Sequence, residues 1–309
     1  MQALFEIILP VFLIVGFGYF VTWRGIFKES AVEGLVTFTQ GFAIPCLLFR
    51  EISRIELGAI TNTPLIVAFY CGALTCFVIG VLCAKTLFKR TPVDAVAIGF
   101  CCLFSNTVLL GLPITERAYG MDALAGNLAI ITFHAPVLYL LGIAAMEFVS
   151  NEGTGIGTKV LRVLHAIFRN PLVIAITLGL IANVTSMPIP KSLLNSIGLI
   201  ADAALPAALF GLGGVIFQYR PEGDLKTIIV VCVISLVIHP AIAFFLGTML
   251  NLDAASMRSG VITASMTPGV NVYVFANMYG AARRVAASSV LIATGASVIT
   301  IWFWLLLLP

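Results

Sequence analysis

Apolar stretches long enough to cross a bilayer follow one another along almost the whole chain, with the charged residues gathered between them. A membrane-crossing helix needs about 20 predominantly apolar residues. Ten stretches qualify, at roughly 3–22, 32–49, 64–84, 94–116, 124–147, 169–186, 193–217, 227–250, 259–280 and 285–308. Hydrophobic residues make up 60% of the chain and charged residues 10%, where a soluble domain carries about 45–50% and 25%. These values predict an all-α polytopic membrane protein. They exclude soluble enzymes and nucleic-acid binders. The seven cysteines, Cys46, Cys71, Cys76, Cys83, Cys101, Cys102 and Cys232, all fall inside apolar spans. They read as small buried hydrophobes, with neither disulfide nor metal-ligand spacing. The first span opens at Ala3 without a basic flank or a small-residue cleavage site, so it reads as a retained helix.

The distribution of Lys and Arg sets the expected topology. Loops after the odd-numbered spans hold Arg24, Lys28, Lys85, Lys89, Arg90, Lys159, Arg162, Arg169, Arg220, Lys226, Arg283 and Arg284. The other loops hold Arg50, Arg54, Arg117, Lys191 and Arg258. Positive residues favour the cytoplasmic side, so both termini are expected outside, and 151–168 is expected to be a short cytoplasmic linker.

Two spans are interrupted by residues that a lipid-exposed helix rejects. In span four, Asn106, Thr107, Gly111 and Pro113 stand in SNTVLLGLPI. In span nine, Thr267, Pro268, Gly269 and Asn271 stand in MTPGVNVYVF. Proline lacks a backbone donor, so Pro113 and Pro268 are expected to free the carbonyls of Leu109 and Ala264. Irregular backbone at membrane depth is tolerated only against protein or a watery cavity. A shift of 161 residues places Pro10 on Pro171, Gly18 on Gly179, Pro45 on Pro206 and Cys71 on Cys232. A shift of 160 places Ser105 on Ser265, Thr107 on Thr267 and Tyr119 on Tyr279. Five spans per unit is an odd number, so the second copy would be inserted upside down. Units 1–150 and 169–309 are therefore expected to form a 5+5 inverted repeat, with the two broken spans fourth in each unit. Paired interruptions of this kind point to a transporter's binding site.

The opening ILPVFLIVGFGYF, the span-two FAIPCLLF, the span-four SNTVLLGLPI and the span-nine MTPGVNVYVFANMYG resemble the auxin efflux carrier family, which includes bacterial malonate permeases and plant auxin exporters. The short central linker is similar to that of the bacterial members. The resemblance implies a fold like that of bile-acid transporters and sodium/proton antiporters, with helices four and nine broken and crossing. It also implies a scaffold of spans 1, 2, 6 and 7, a moving transport domain of spans 3–5 and 8–10, homodimerisation on the scaffold, and the bacterial cytoplasmic (inner) membrane as the location.

Several residues are candidates for the chemistry. The half-helices beyond the breaks would present unbonded N–H groups and a partial positive charge, which favours anions. Asn106, Thr107, Thr267 and Asn271 would add side-chain donors and acceptors, Gly111, Pro113, Pro268 and Gly269 would shape the backbone, and Tyr273 would line the site. Asp202, placed mid-span four residues before Pro206, is a candidate for protonation or cation coupling, because an intramembrane carboxylate is costly and commonly functional. Its counterpart in the first repeat is Gly41, beside Gln40 and near Pro45. His134 and His239 could relay protons. Glu116 and Arg117 read as an interfacial ion pair, with Glu116 a possible gate. Tyr119 and Tyr279 read as interface anchors, and the Trp302–Trp304 tail as lipid-facing.

The expectation is a secondary transporter for a small organic anion, malonate-like or auxin-like, working by elevator-type alternating access. It calls for no bound cofactor and no metal, with H+ or Na+ as conceivable coupling ions and lipid as its surroundings. Alternatives are a sodium-coupled symporter of the bile-acid type and an anion channel. The spans lack the ring of charges or carbonyls that a channel would need.

Overall fold

The computed structural model describes residues 4–54, 62–150, 169–219 and 224–308. The proposed linker 151–168 lies outside them. Among the described residues the chain is helical, with a lone antiparallel bridge between Ser105 and Pro268. Seven helices are long and apolar enough to cross a membrane, and Pro92–Leu103 and Pro171–Val184 are shorter apolar helices. The protein is thus a multi-pass membrane protein.

In chain order the helices are α1 (Leu9–Trp23), α2 (Glu29–Phe38), α3 (Ile44–Ile52), α4 (Thr63–Thr86), α5 (Pro92–Leu103), α6 (Leu112–Tyr119) and α7 (Leu124–Ser150). There follow α8 (Pro171–Val184), α9 (Lys191–Asp202), α10 (Ala204–Gln218), α11 (Leu225–Val233), α12 (His239–Met249), α13 (Ala254–Ala264), α14 (Val270–Met278) and α15 (Arg283–Leu307). Their starts are written locally. Asn62, Thr91, Asn170, Asp224 and Asp253 each accept a backbone N–H of the first turn, which would otherwise lack a partner. Pro64, Pro92 and Pro171 stand at the first or second helical position, where a missing N–H costs nothing. The Asp253 carboxyl is held below its ordinary range, chiefly by the Ser256 N–H. That of Asp224 is lowered too, first by the Thr227 hydroxyl, then by the Lys226 N–H and Arg90.

Four internal prolines are handled by one device, while Pro136 lies within α7 without it. A five-residue π-helical turn ends two residues before Pro10, Pro45, Pro113 and Pro240, at Leu4–Ile8, Thr39–Ala43, Thr107–Gly111 and Ile234–Ile238. Widening the helix by one residue moves the proline ring away from the carbonyl it would strike. The carbonyl that still lacks its usual donor is met from elsewhere. Leu236, four residues before Pro240, accepts the indole N–H of Trp304 at 3.1 Å. Trp304 is buried for this reason, so the sequence expectation of a lipid-facing tail fails at this residue, while Phe303 beside it is exposed.

The chain separates into two compact units. One comprises the described residues of Met1–Leu9, Asn62–Leu161 and Tyr219–Pro309, and so holds α4 to α7 and α11 to α15. The other comprises those of Pro10–Thr61 and Arg162–Gln218, and so holds α1 to α3 and α8 to α10. Within the second unit, backbones meet across glycine. A Cβ on Gly18 of α1 would overlap the carbonyl of Phe210 in α10, and one on Gly179 of α8 would come within 3.2 Å of the Phe49 carbonyl in α3.

Candidate functional site

Both interrupted segments lie in the first unit, and they meet. α5 stops at Leu103 and α13 stops at Ala264. Between these ends and the next helices the two chains run extended and pair. Asn106 N–H donates to the Thr267 carbonyl at 2.7 Å, and Gly269 N–H to the Phe104 carbonyl at 2.9 Å. Two stretches of irregular backbone thus satisfy each other, which is the condition for placing them inside an apolar protein. Residues 104–107 and 265–269 are all buried.

The first break lies upstream of where Pro113 suggests. The expectation was an interruption at Gly111 and Pro113, but the helix has already resumed at Thr107, through the π turn, and Pro113 sits in the first turn of α6. The physical reason is the widened turn, which lets the helix run through the proline. Asn106 begins this half-helix. Its Oδ1 accepts the Leu109 N–H at 3.2 Å, and that bond fixes the direction of the carboxamide. Its Nδ2 is buried and has no hydrogen-bond partner among the described residues. Gly111 faces the opposite break, since a Cβ there would lie 3.6 Å from Met266 Cγ. In the second break Pro268 does lie within the extended segment, and α14 starts after Gly269 without a side-chain cap. Thr267 is buried, with its hydroxyl 3.3 Å from the Pro268 carbonyl. Asn271 belongs to α14 and is exposed, and its carbonyl accepts from the Tyr139 hydroxyl at 3.4 Å. Tyr273, also in α14, packs its ring 5.0 Å from that of Tyr219.

Residues that sequence reasoning passed over hold the breaks in place. Asn127, fully buried in α7, donates from Nδ2 to Thr115 Oγ1 at 3.0 Å and to Thr263 Oγ1 at 2.8 Å. It thereby ties the half-helix after the first break to the half-helix before the second. An asparagine in the middle of an apolar span was the available signal. Ser105 gathers both histidines: its carbonyl lies 3.1 Å from His134 Nε2 and its hydroxyl 3.4 Å from His239 Nδ1.

The remaining candidates lie apart from the breaks or have other partners. Gln40 is exposed within the π turn before Pro45, and Pro206 is in the first turn of α10; all three belong to the second unit. Asp202 ends α9 there, with its side chain 69% exposed and 2.7 Å from Arg50 Nη1. The sequence reading places Asp202 mid-span as a coupling candidate and puts Arg50 in an outer loop. Instead Arg50 sits in the last turn of α3 and spans Glu51, at 2.7 Å, and Asp202. Arg117 donates to the Glu6 carbonyl at 2.7 Å, and Glu116 caps the end of α6 through its own carbonyl. Arg258 stacks 4.6 Å over the Tyr119 ring.

Residues 3–305 match the family described as membrane transport protein, that of the auxin efflux carriers. The chain belongs to the auxin efflux carrier family. Among its relatives, a protein of Rhizobium meliloti (strain 1021) named "Putative malonate transporter" is 25% identical over 303 residues, covering 97% of this chain and 94% of the relative. An uncharacterized transporter of Methanocaldococcus jannaschii is 23% identical over 312 residues, covering 98% of each chain. The uncharacterized transporter YfdV of Escherichia coli (strain K12) is 22% identical over 306 residues, covering 96% and 95%. The paired breaks are therefore a feature of a membrane transporter. These three relatives are all named as transporters.

Proposed function

We propose that this transporter moves a small organic anion across the bacterial cytoplasmic membrane, and that the paired breaks are where the anion binds. The carrying observation is the Asn106 carboxamide. Its oxygen is occupied by the helix cap, so its N–H groups stay directed and unpartnered in a buried site. A buried donor without a partner costs about 1–3 kcal/mol, and a carboxylate oxygen recovers that cost. The half-helix that Asn106 caps contributes its partial positive end to the same place. Thr107, Gly111, Pro113, Thr267, Pro268, Gly269, Asn271 and Tyr273 complete the proposed site. No Lys or Arg occurs in 104–113 or 265–273, so the anion is held by neutral donors, an arrangement suited to release as well as capture. A malonate-like dicarboxylate is the first substrate class, given the relative's name, and an auxin-like carboxylate the second.

In this reading the chain forms ten transmembrane helices as a 5+5 inverted repeat, with crossing broken helices and both termini outside. Exchange-related contacts favour it, because Gly18 packs span one on span seven and Gly179 packs span six on span two. The unit that contains both breaks is the transport domain, and the other is the scaffold on which a homodimer forms. Transport is by an elevator movement of the first on the second.

The test is counterflow of labelled malonate in proteoliposomes without an ion gradient, comparing the wild type with Asn106→Ala. Accumulation by the wild type and its loss in the variant are expected. Equal accumulation in the two would remove the site from the breaks. Counterflow of an aromatic carboxylate in place of malonate would shift the substrate class.

A further inference from the structure

We propose that His134 and His239, joined through Ser105 at the first break, form a site for one proton that travels with the anion, and that His134 Nδ1 is the atom that takes it. The inference rests on the carrier reading above and adds its coupling ion.

Hydrogen bonding determines where hydrogens can reside. His134 Nε2 faces the Ser105 carbonyl at 3.1 Å, and His239 Nε2 faces the Phe69 carbonyl at 3.3 Å. A carbonyl only accepts, so Nε2 carries hydrogen in both rings. In the neutral state each Nδ1 is then a bare acceptor. That of His239 receives the Ser105 hydroxyl at 3.4 Å. That of His134 is buried and has no partner among the described residues. The cluster therefore holds one vacant acceptor for a proton, on a side chain that is 3% exposed.

Its surroundings are buried and aromatic, which disfavours a charge on the ring until an anion lies beside it. Phe69 lies between the two imidazoles, with centroid distances of 5.8 and 5.0 Å, and Phe104 meets His134 edge-on at 4.5 Å. The titratable groups beside it are Tyr70 on α4, whose hydroxyl is used by the Ile130 carbonyl, His239 at the start of α12, and Tyr139 on α7 itself, across the Phe104 ring. The charged side chains of the packed elements stand in their terminal turns, Lys85, Asp94, Glu116, Arg117, Glu147 and Lys226, apart from Arg258 in the second turn of α13. The ion pairs that join Arg50 to Glu51 and Asp202, and Arg90 to Asp224, do not include His134. A proton on one ring opposes a second on the other, so the pair carries one.

The proton's charge would rest beside Ser105, the residue before Asn106, where the anion is proposed to bind with neutral donors alone. Imidazolium and carboxylate then stabilise each other, and each tightens the binding of the other by the same factor. Asp202, by contrast, already has Arg50 as its counter-charge.

The test uses proteoliposomes at one external pH, so that the external substrate keeps one ionisation state while only the internal pH is raised. Raising it by about two units should increase wild-type malonate accumulation severalfold over counterflow, toward the ~100-fold limit for one proton. His134→Gln keeps a donor for the Ser105 carbonyl but has no acceptor that titrates. Its ratio of gradient-driven to counterflow accumulation should fall to about one. Asp202→Asn should retain the wild-type ratio. The proposal is overturned if the wild type shows counterflow but ignores the gradient, a result that needs no variant. It is also overturned if His134→Gln keeps the full ratio, or if the response is lost in Asp202→Asn instead. Failure of wild-type counterflow with both malonate and aromatic carboxylates would overturn the carrier reading and this coupling together.

Discussion

The two breaks pair with each other, yet they are built differently. The first is finished by a side chain: Asn106 caps the half-helix that follows, and a π turn carries that helix past Pro113. The second is finished by backbone: Pro268 interrupts the chain, and Gly269 starts α14 with no side-chain cap. One break thus offers directed side-chain donors, while the other supplies mainly the carbonyl and N–H that hold the first in place. Backbone pairing between the two breaks has not made them chemically equivalent. The difference teaches that, if the breaks bind the anion as proposed, span four would supply the directed donors and span nine the frame that holds them.

This contrast can be broken by experiment. The largest effect is expected from Asn106→Asp. The carboxylate still accepts the Leu109 N–H and so keeps the cap, but it replaces the free N–H groups by negative charge. Counterflow should fall by about 100-fold or more, as loss of a charge-assisted hydrogen bond plus repulsion implies. Retained transport would show that Asn106 serves only as a cap. Next comes Asn127→Leu, which leaves the Thr115 and Thr263 hydroxyls without their link. A loss of about 1–2 kcal/mol in stability is expected, read as a lower unfolding midpoint, and transport should drop with it. Should Thr263→Val alone reproduce that loss, the tie is carried by the span-nine side.

Asp253→Ala tests the approach to the second break. Removing this cap should cost about 1 kcal/mol. Because the folded-state pKa of Asp253 is depressed, its stabilisation is present above the ordinary carboxylate pKa and fades as pH falls through the lowered one. The variant and the wild type should therefore converge in unfolding midpoint under acid. A difference that persisted there would point to packing instead. The smallest effect is expected at Gly269→Ala. A Cβ there would meet its nearest neighbour, Asn106 Cα, at 3.5 Å, an ordinary contact. Stability within about 0.5 kcal/mol and transport within about twofold of wild type are expected. A severe loss would show that the substrate itself occupies the space beside Gly269, and would return chemical weight to span nine.

Local sequence carried a good deal of this. Hydropathy located the membrane-competent helices, because the apolar period and length needed to enter lipid are properties of adjacent residues. Asn62, Thr91, Asn170, Asp224 and Asp253 foretell helix starts, because a cap bonds to N–H groups two or three residues ahead. Polar and helix-breaking residues in spans four and nine marked both segments as irregular. Proline was the misleading signal. Pro113 reads as a break, yet a π turn takes the helix through it, whereas the extended residues of span four are Phe104 to Asn106, which no proline announces. A break needs another chain to satisfy its freed groups, and that chain lies about 160 residues away.

What the sequence by itself determined is which segments could enter a membrane and which of them could not be plain helices, since those properties rest on bonds within a turn or two. Only the tertiary structure decided that Ser105 faces Pro268, that Asn127 ties Thr115 to Thr263, that Arg50 sits on Asp202 and that two histidines share one serine. Those partners are set by the packing of helices distant in the chain, where the need to satisfy each buried polar group selects one arrangement from many that the local pattern allows.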